Sequence, residues 1–176
     1  MSRIVFECLK CGNCCRHLFD EDEKFGVMGL TLFSKETKLF PSKFISSQFG
    51  VGLNEGGTGP KHVVLYQLNV DVCPNLSENN ECGIHQKRPL ACRSWPTSFK
   101  SFDSNKSLRC RFMEEKGAKE REQLVFSPFL YAPKEWEAYG KFKEVRRKLL
   151  QKKYPLFITK VLWIFDLKTK KWVRIR

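Results

Sequence analysis

Eight cysteines carry the reactive chemistry of this chain: Cys8, Cys11, Cys14, Cys15, Cys73, Cys82, Cys92 and Cys110. The first four fall together as C-x-x-C-x-x-C-C. Disulfide scaffolds spread their cysteines out, because neighbours this close do not pair at unstrained geometry. In a reducing compartment the same spacing aims several thiolates at one point, which suits a soft metal. Cysteines at i, i+3 and i+6 let a looping backbone wrap a single centre, with Gly12 turning the chain between Cys11 and Cys14. Cys8, Cys11 and Cys14 plus one remote cysteine make a four-thiolate shell. Bacterial iron–sulfur sites use a related run with a further Cys-Pro, and Cys73-Pro74 is the remote candidate here. Cys15 points away from that centre and, with Cys82, Cys92 and Cys110, would fill a second. One centre, with the leftover cysteines buried as small apolar residues, satisfies the count equally. Cys8, Cys11, Cys14, Cys73, Cys82 and Cys92 rank first as ligands and Cys15 next. Cys110 comes last, because Arg109 and Arg111 beside it read as surface residues.

Ligand type leaves the metal open, since thiolates hold both zinc and iron. The all-cysteine set leans toward an iron–sulfur cluster such as 4Fe-4S. If His17 or His85 joined the shell the choice would move to Zn2+, for which mixed Cys/His shells are usual. Both histidines are otherwise expected as neighbours of the ligands. Arg88 and Arg93 flank Cys92 and are placed to donate hydrogen bonds to sulfur, or to stand as two solvated charges. Trp95-Pro96 is expected to pack against the site and exclude water. Asp20–Glu23 lacks the regular ligand spacing of a calcium loop and reads as a solvated loop. Gly50–Gly59 lacks the phosphate-loop pattern, and no Ser/His/Asp or Cys/His nucleophile grouping stands out. No small-molecule substrate is evident.

The elements that must position these residues are short. The run from Ser34 through Lys35–Phe40 predicts a short helix that Pro41 stops, and Gly50–Pro60 is the clearest loop. Residues 62–72 alternate Val64, Tyr66, Leu68, Val70 and Val72 against Leu65, Gln67, Asn69 and Asp71, which predicts a half-buried strand delivering Cys73. A polar loop closes on Cys82-Gly83, and Arg88-Pro89 starts a short helix through Cys92. A second strand is expected over Glu122–Phe126. Phe142, Val145, Leu149 and Leu150 sit at helical spacing before Pro155, and the last fifteen residues read as two strands around a Lys-Thr-Lys-Lys turn.

With 176 residues, 41% of them hydrophobic and 15 of them Phe, the chain has the material for a packed core and is not disordered throughout. No apolar run approaches the roughly 18 residues of a membrane span, and the opening residues lack the apolar stretch of an export signal, so a cytoplasmic protein is expected. The formal net charge is +13. It is concentrated: residues 134–176 hold 14 Lys and Arg against 4 Asp and Glu. Lys143, Arg146, Arg147, Lys152, Lys153, Lys168, Lys170 and Lys171 would track a phosphate backbone, RNA rather than DNA, with interleaved aromatics stacking on bases. The alternatives are an acidic protein partner, or a solvated basic surface whose aromatics are the buried face of a small sheet.

The segments F-E-C-L-K-C-G-N-C-C, C-P and C-G-I-H-Q-K-R-P-L-A-C-R-S-W-P occur in the order found in the YkgJ-type CxxCxxCC cysteine-cluster proteins, a zinc- or iron-chelating domain. The chain resembles that family over about residues 6 to 96. The resemblance implies a metal or iron–sulfur centre held by Cys8, Cys11, Cys14, Cys15, Cys73, Cys82 and Cys92, with no settled reaction. Two features depart from it: His85 stands where the family often has Tyr, and the basic segment after Lys134 lies outside the shared pattern. The fold expected is a small irregular α+β domain: a metal-centred part over residues 1–133 and a basic helix and β-hairpin over 134–176, packed on or beside it. The function expected is a metal- or iron–sulfur-binding protein with a structural or redox-sensing centre, docking on RNA or a ribonucleoprotein. The rivals are an iron–sulfur oxidoreductase or protein-modifying enzyme, and a structural subunit of a larger complex.

Overall fold

The computed structural model describes residues 5–97, 110–116, 122, 127–153 (the last three as backbone only) and 160–176. The fold is α+β, and the chain forms two compact units that alternate along the sequence. The first comprises Met1–Arg16 and Asn75–Lys143, the second His17–Pro74 and Glu144–Arg176.

The second unit is built on an antiparallel sheet. Its strands are β3 (Thr31–Leu32), β4 (Ile45–Val51), β5 (His62–Leu68), β6 (Leu162–Asp166) and β7 (Lys171–Arg174), in the order β3-β5-β4-β6-β7. A two-stranded ribbon of exposed β1 (Asp20–Asp22) and β2 (Gly26–Met28), whose Val27 is buried, precedes it. The acidic Asp20–Glu23 segment is therefore solvated but extended rather than a loop. The Asp22 carboxylate accepts from the Lys24 and Phe25 amides and fixes the turn between the two strands.

The strand expected over 62–72 stops at Leu68. Asn69 leaves the ladder because its side-chain amide donates to Lys43 O and Ser46 Oγ, and Val72 is exposed. Nor is β5 half-buried. It pairs with β3 on one edge and β4 on the other, and Val64, Leu65, Gln67 and Leu68 are all buried. A buried polar side chain must satisfy its hydrogen bonds within the protein. Gln67, fully buried, accepts from Gly29 N and donates to Ser47 O and Phe165 O, so one amide ties β5 to β4, to β6 and to the β2–β3 link.

Strand β4 claims Gly50 and Val51 from the expected loop. The short helix before Pro41 is a 3-10 turn over Glu36–Leu39, with Phe33 N donating to the Glu36 carboxylate. The C-terminal hairpin forms as expected, and β6 joins the main sheet through β4. Trp163 is buried there and its indole N–H donates to Gly52 O at 2.7 Å, so it is a core residue rather than a platform for a base. Phe165 and Trp172 pack edge to face.

The first unit is mostly loops and short helices: α1 (Asn13–Arg16), α2 (Leu90–Arg93), α3 (Arg111–Glu115) and α4 (Pro128–Tyr131). Cys110, Phe112, Met113 and Ala132 form its buried cluster, with Phe6, Trp95 and Tyr131 packed against it. The long helix α5 (Pro133–Lys153) runs from the first unit into the second. Its Glu137–Lys141 and Glu144–Lys148 pairs sit at i, i+4 spacing, which supports an exposed helix. Of the strand expected over Glu122–Phe126 only Glu122 is described; Tyr154 and Pro155 lie outside the described residues.

Asp166 closes the hairpin turn. It is buried, and its carboxylate accepts from the Val27, Lys168 and Thr169 amides and the Thr169 hydroxyl. Burial alone would raise its pKa, but these donors outweigh it and lower the pKa from 3.8 to about 2. A carboxylate depressed in the folded state contributes stability that is complete above its unfolded pKa and is lost as pH falls through the folded one. Thermal unfolding of the wild type should therefore lose this contribution between about pH 4 and pH 2. Asp166→Asn should lower stability at pH 7 by about 2 kcal/mol, within the range for hydrogen bonds to charged groups. An unchanged melting temperature for Asp166→Asn at pH 7 would refute this.

Candidate metal centre

The cysteine loop turns where the sequence places its glycine. Gly12 is buried with φ +73°, in the left-handed region that disfavours side chains. A Cβ there would lie 3.1 Å from Asn80 Cβ and 3.2 Å from Leu76 Cδ1. The loop thus lays its backbone directly on the segment that carries Cys82. Cys15 N donates to Gly12 O, opening the single turn of α1, and Arg16 reaches back to the Asn80 carboxamide at 2.5 Å.

The receiving segment is built for that contact. Ser77 N donates to Glu81 O and Asn80 N to Ser77 O, with Asn80 itself at φ +62°, a conformation asparagine tolerates better than most residues. Leu76 and Cys82 form an isolated bridge, and Gly83 N donates to Asn75 O. The chain then continues through a 3-10 turn at His85–Lys87 into α2, which starts after Pro89 as expected and carries Cys92.

Seven of the eight cysteines lie in this first unit, and no disulfide joins any of the eight. Cys8 and Cys14 are exposed, whereas Cys11, Cys15, Cys82 and Cys92 are partly buried. Cys73 belongs to the second unit and is buried there. Among the described residues, no three Cys, His, Asp or Glu side chains are already gathered closely enough to hold an ion. The donors nevertheless suit zinc or iron: thiols on two packed loops, beside an imidazole nitrogen that has nothing to bond. That nitrogen is His85 Nε2, buried and without a hydrogen-bond partner among the described residues.

His85 is held by its backbone, its N–H donating to Cys82 O at 3.1 Å and its carbonyl accepting from Arg88 Nε at 3.0 Å. Burial lowers its pKa, and the charges of Arg88 and Lys10 lower it further, so the ring is held neutral. Arg88 therefore orients His85 through its backbone, while Arg93 is exposed. His17 lies in the second unit, 3.9 Å from the Asp71 carboxylate.

Cys110 differs from the surface position that its arginine neighbours imply. Arg111 is exposed and pairs with Glu115, but Cys110 turns inward at the start of α3 and is buried. Burial raises its pKa above the ordinary 9.0, partly offset by the Met113 and Phe112 amides and the Trp95 indole, while Cys11 pushes it up again. Trp95-Pro96 is a cis peptide, and Trp95 packs against the Cys110 cluster. The sequence reading missed Asn80; its one visible signal is the Asn-Asn pair in a polar loop, a common site for left-handed backbone.

Such a unit, with short helices and loops carrying a dense set of thiols, defines a metal-chelating cysteine-cluster domain. The chain belongs to the CxxCxxCC family, described as "Putative zinc- or iron-chelating domain", whose model matches residues 7–120. No curated protein and no solved structure matches the chain. No helix among the described residues is long and apolar enough to cross a membrane.

The burial of Cys110 predicts a slow thiol. In the protein as purified, iodoacetamide at pH 8 should alkylate Cys110 at least about tenfold more slowly than in urea-unfolded protein, since the thiolate is the nucleophile and burial disfavours it. Cys110 labelling, followed by peptide mass spectrometry, should climb only at pH values above the ordinary thiol range. Early labelling of Cys110 would contradict its placement.

Proposed function

We propose that the first unit holds a resident metal centre through Cys8, Cys11, Cys14, Cys82 and Cys92, that this centre is structural, and that the basic surface of the second unit docks on RNA. The observation that carries the metal part is Gly12 seated on Asn80 and Leu76, which brings the C-x-x-C-x-x-C-C loop and the Cys82 loop together. Cys15 and Cys110 are further thiols of the same unit, available to a second centre. When bound, the metal supplies a cross-link between segments more than sixty residues apart, and the chain's own contribution is the orientation of those segments.

A structural role suits a unit whose described residues form mostly loops and short helices. Loop-rich segments of this kind gain folding free energy from metal ligation, since the site does not exist in the unfolded chain. The RNA part rests on exposed Arg146 and Arg147 along α5 and exposed Lys168, Lys170 and Lys171 at the β6–β7 turn. Lys143, exposed over the Trp136 and Tyr139 rings, belongs to the first unit and is not counted in this surface. With Trp163 committed to the core, the binding expected is to phosphates rather than by base stacking. The side chains of Lys152 and Lys153 lie outside the described set.

Metal and acid-labile sulfide analysis of anaerobically purified protein tests the first part. Metal bound in proportion to the chain, and lost together with ordered structure on chelation, is the expected result; metal-free, fully folded protein would end the reading. For the second part, the Lys168→Glu/Lys170→Glu/Lys171→Glu variant should bind single-stranded RNA at least about tenfold more weakly. Its log–log salt slope should be shallower by about 2, as expected for three lost contacts to a single strand. Equal affinity and slope in variant and wild type would remove RNA from the proposal.

A further inference from the structure

We propose that His85 is itself a ligand of this centre through Nε2, making the shell a mixed Cys/His set and the resident metal zinc. This inference rests on the metal-centre reading above and goes beyond it by adding a nitrogen donor and choosing the metal.

Three observations converge on this residue. A buried imidazole nitrogen with no hydrogen-bond partner among the described residues calls for a missing proton donor, water or ion. The backbone N–H of His85 bonds the carbonyl of Cys82, so the residue is tied to the loop that Gly12 brings against the C-x-x-C-x-x-C-C segment. Cys82 and His85 also form a C-x-x-H pair joined by a backbone turn, the close spacing through which zinc sites commonly take two ligands from one loop.

Its backbone contacts fit a ligand as well. A metal-bound imidazole is normally fixed by its surroundings, and here the His85 carbonyl is held by Arg88 Nε while the amide is held by Cys82. These contacts fix the residue on both sides and leave Nε2 uncommitted. The remaining thiols supply the sulfur donors.

The test compares full-length wild type with His85→Phe and His85→Cys. Each is purified anaerobically and examined by metal analysis, zinc-edge X-ray absorption and competition with a chromogenic zinc chelator. Wild type should contain zinc with one imidazole in its shell. His85→Cys should keep zinc within about tenfold of wild-type affinity, with the imidazole signal replaced by sulfur. His85→Phe should bind zinc more weakly than the roughly 10–100-fold loss that follows removal of an outer partner. Hydrogen exchange read by peptide mass spectrometry, with the β4–β6 amides still protected, confirms that the second unit is folded in both variants.

An all-sulfur shell, or His85→Phe that keeps zinc at wild-type affinity, overturns the inference and leaves the thiolate centre standing. Iron with matching sulfide and no nitrogen ligand does the same. A wild-type protein that is fully folded without metal sinks both readings together.

Discussion

A centre built from ligands more than sixty residues apart requires one backbone contact before any sulfur can matter. Here it is the seating of Gly12 against Asn80 and Leu76, where a Cβ would sit 3.1 Å from Asn80 Cβ and the neighbours would have to give way. The constraint is steric on one side and conformational on the other. Gly12 and Asn80 both adopt positive φ, so two tight turns face each other, and the Arg16–Asn80 hydrogen bond links them. The positions of the C-x-x-C-x-x-C-C loop, of Cys82 and of the turn carrying His85 follow from that contact. Cys8 and Cys14 are exposed, while Cys11, Cys15 and Cys82 are partly buried.

The second unit solves a different problem by comparable means. Its sheet joins strands from distant parts of the sequence, and the fully buried Gln67 is bonded at both ends of its carboxamide. Replacing that amide by an apolar group would leave the Ser47 and Phe165 carbonyls each short of a donor, so the sheet specifies Gln at this position as firmly as a core specifies Leu. Asp166 plays the matching part at the hairpin turn. Its negative charge is directed inward onto backbone amides, while Lys168, Lys170 and Lys171 on the same turn face solvent.

What was legible in the sequence followed from local chemistry. Gly12 at a turn, Pro89 before α2, the helical spacing of Phe142, Val145, Leu149 and Leu150, and the Lys-Thr-Lys-Lys turn each carry their reason within a few residues. What was illegible depended on distant partners. Strand β4 went unread in the sequence, because Ser46, Ser47 and Gln48 break any apolar alternation; in the fold Gln48 donates to Gly29 O from a bulged ladder. β5 looked half-buried because alternation does not reveal that both of its edges and both of its faces are covered. Cys110 looked superficial because arginines flank it, yet the residue beginning a short helix turns inward while Arg111 turns out. The cysteine spacing announced metal chemistry plainly, whereas the unpaired nitrogen of His85 could emerge only from its buried surroundings.

The charge distribution also reads differently once the aromatics are placed. In the sequence, lysines and aromatics interleave through the last 43 residues in the manner of a base-stacking surface. In the fold, Trp163 gives its N–H to Gly52, Phe165 and Trp172 pack on each other, and the Phe49 ring lies beneath the Arg146 guanidinium. Trp163, Phe165, Trp172 and Phe49 are thereby engaged within the second unit, and Arg146, Lys168, Lys170 and Lys171 remain exposed. A surface of that kind attracts polyanions through field strength and counterion release, with affinity that falls steeply with salt and little dependence on base identity.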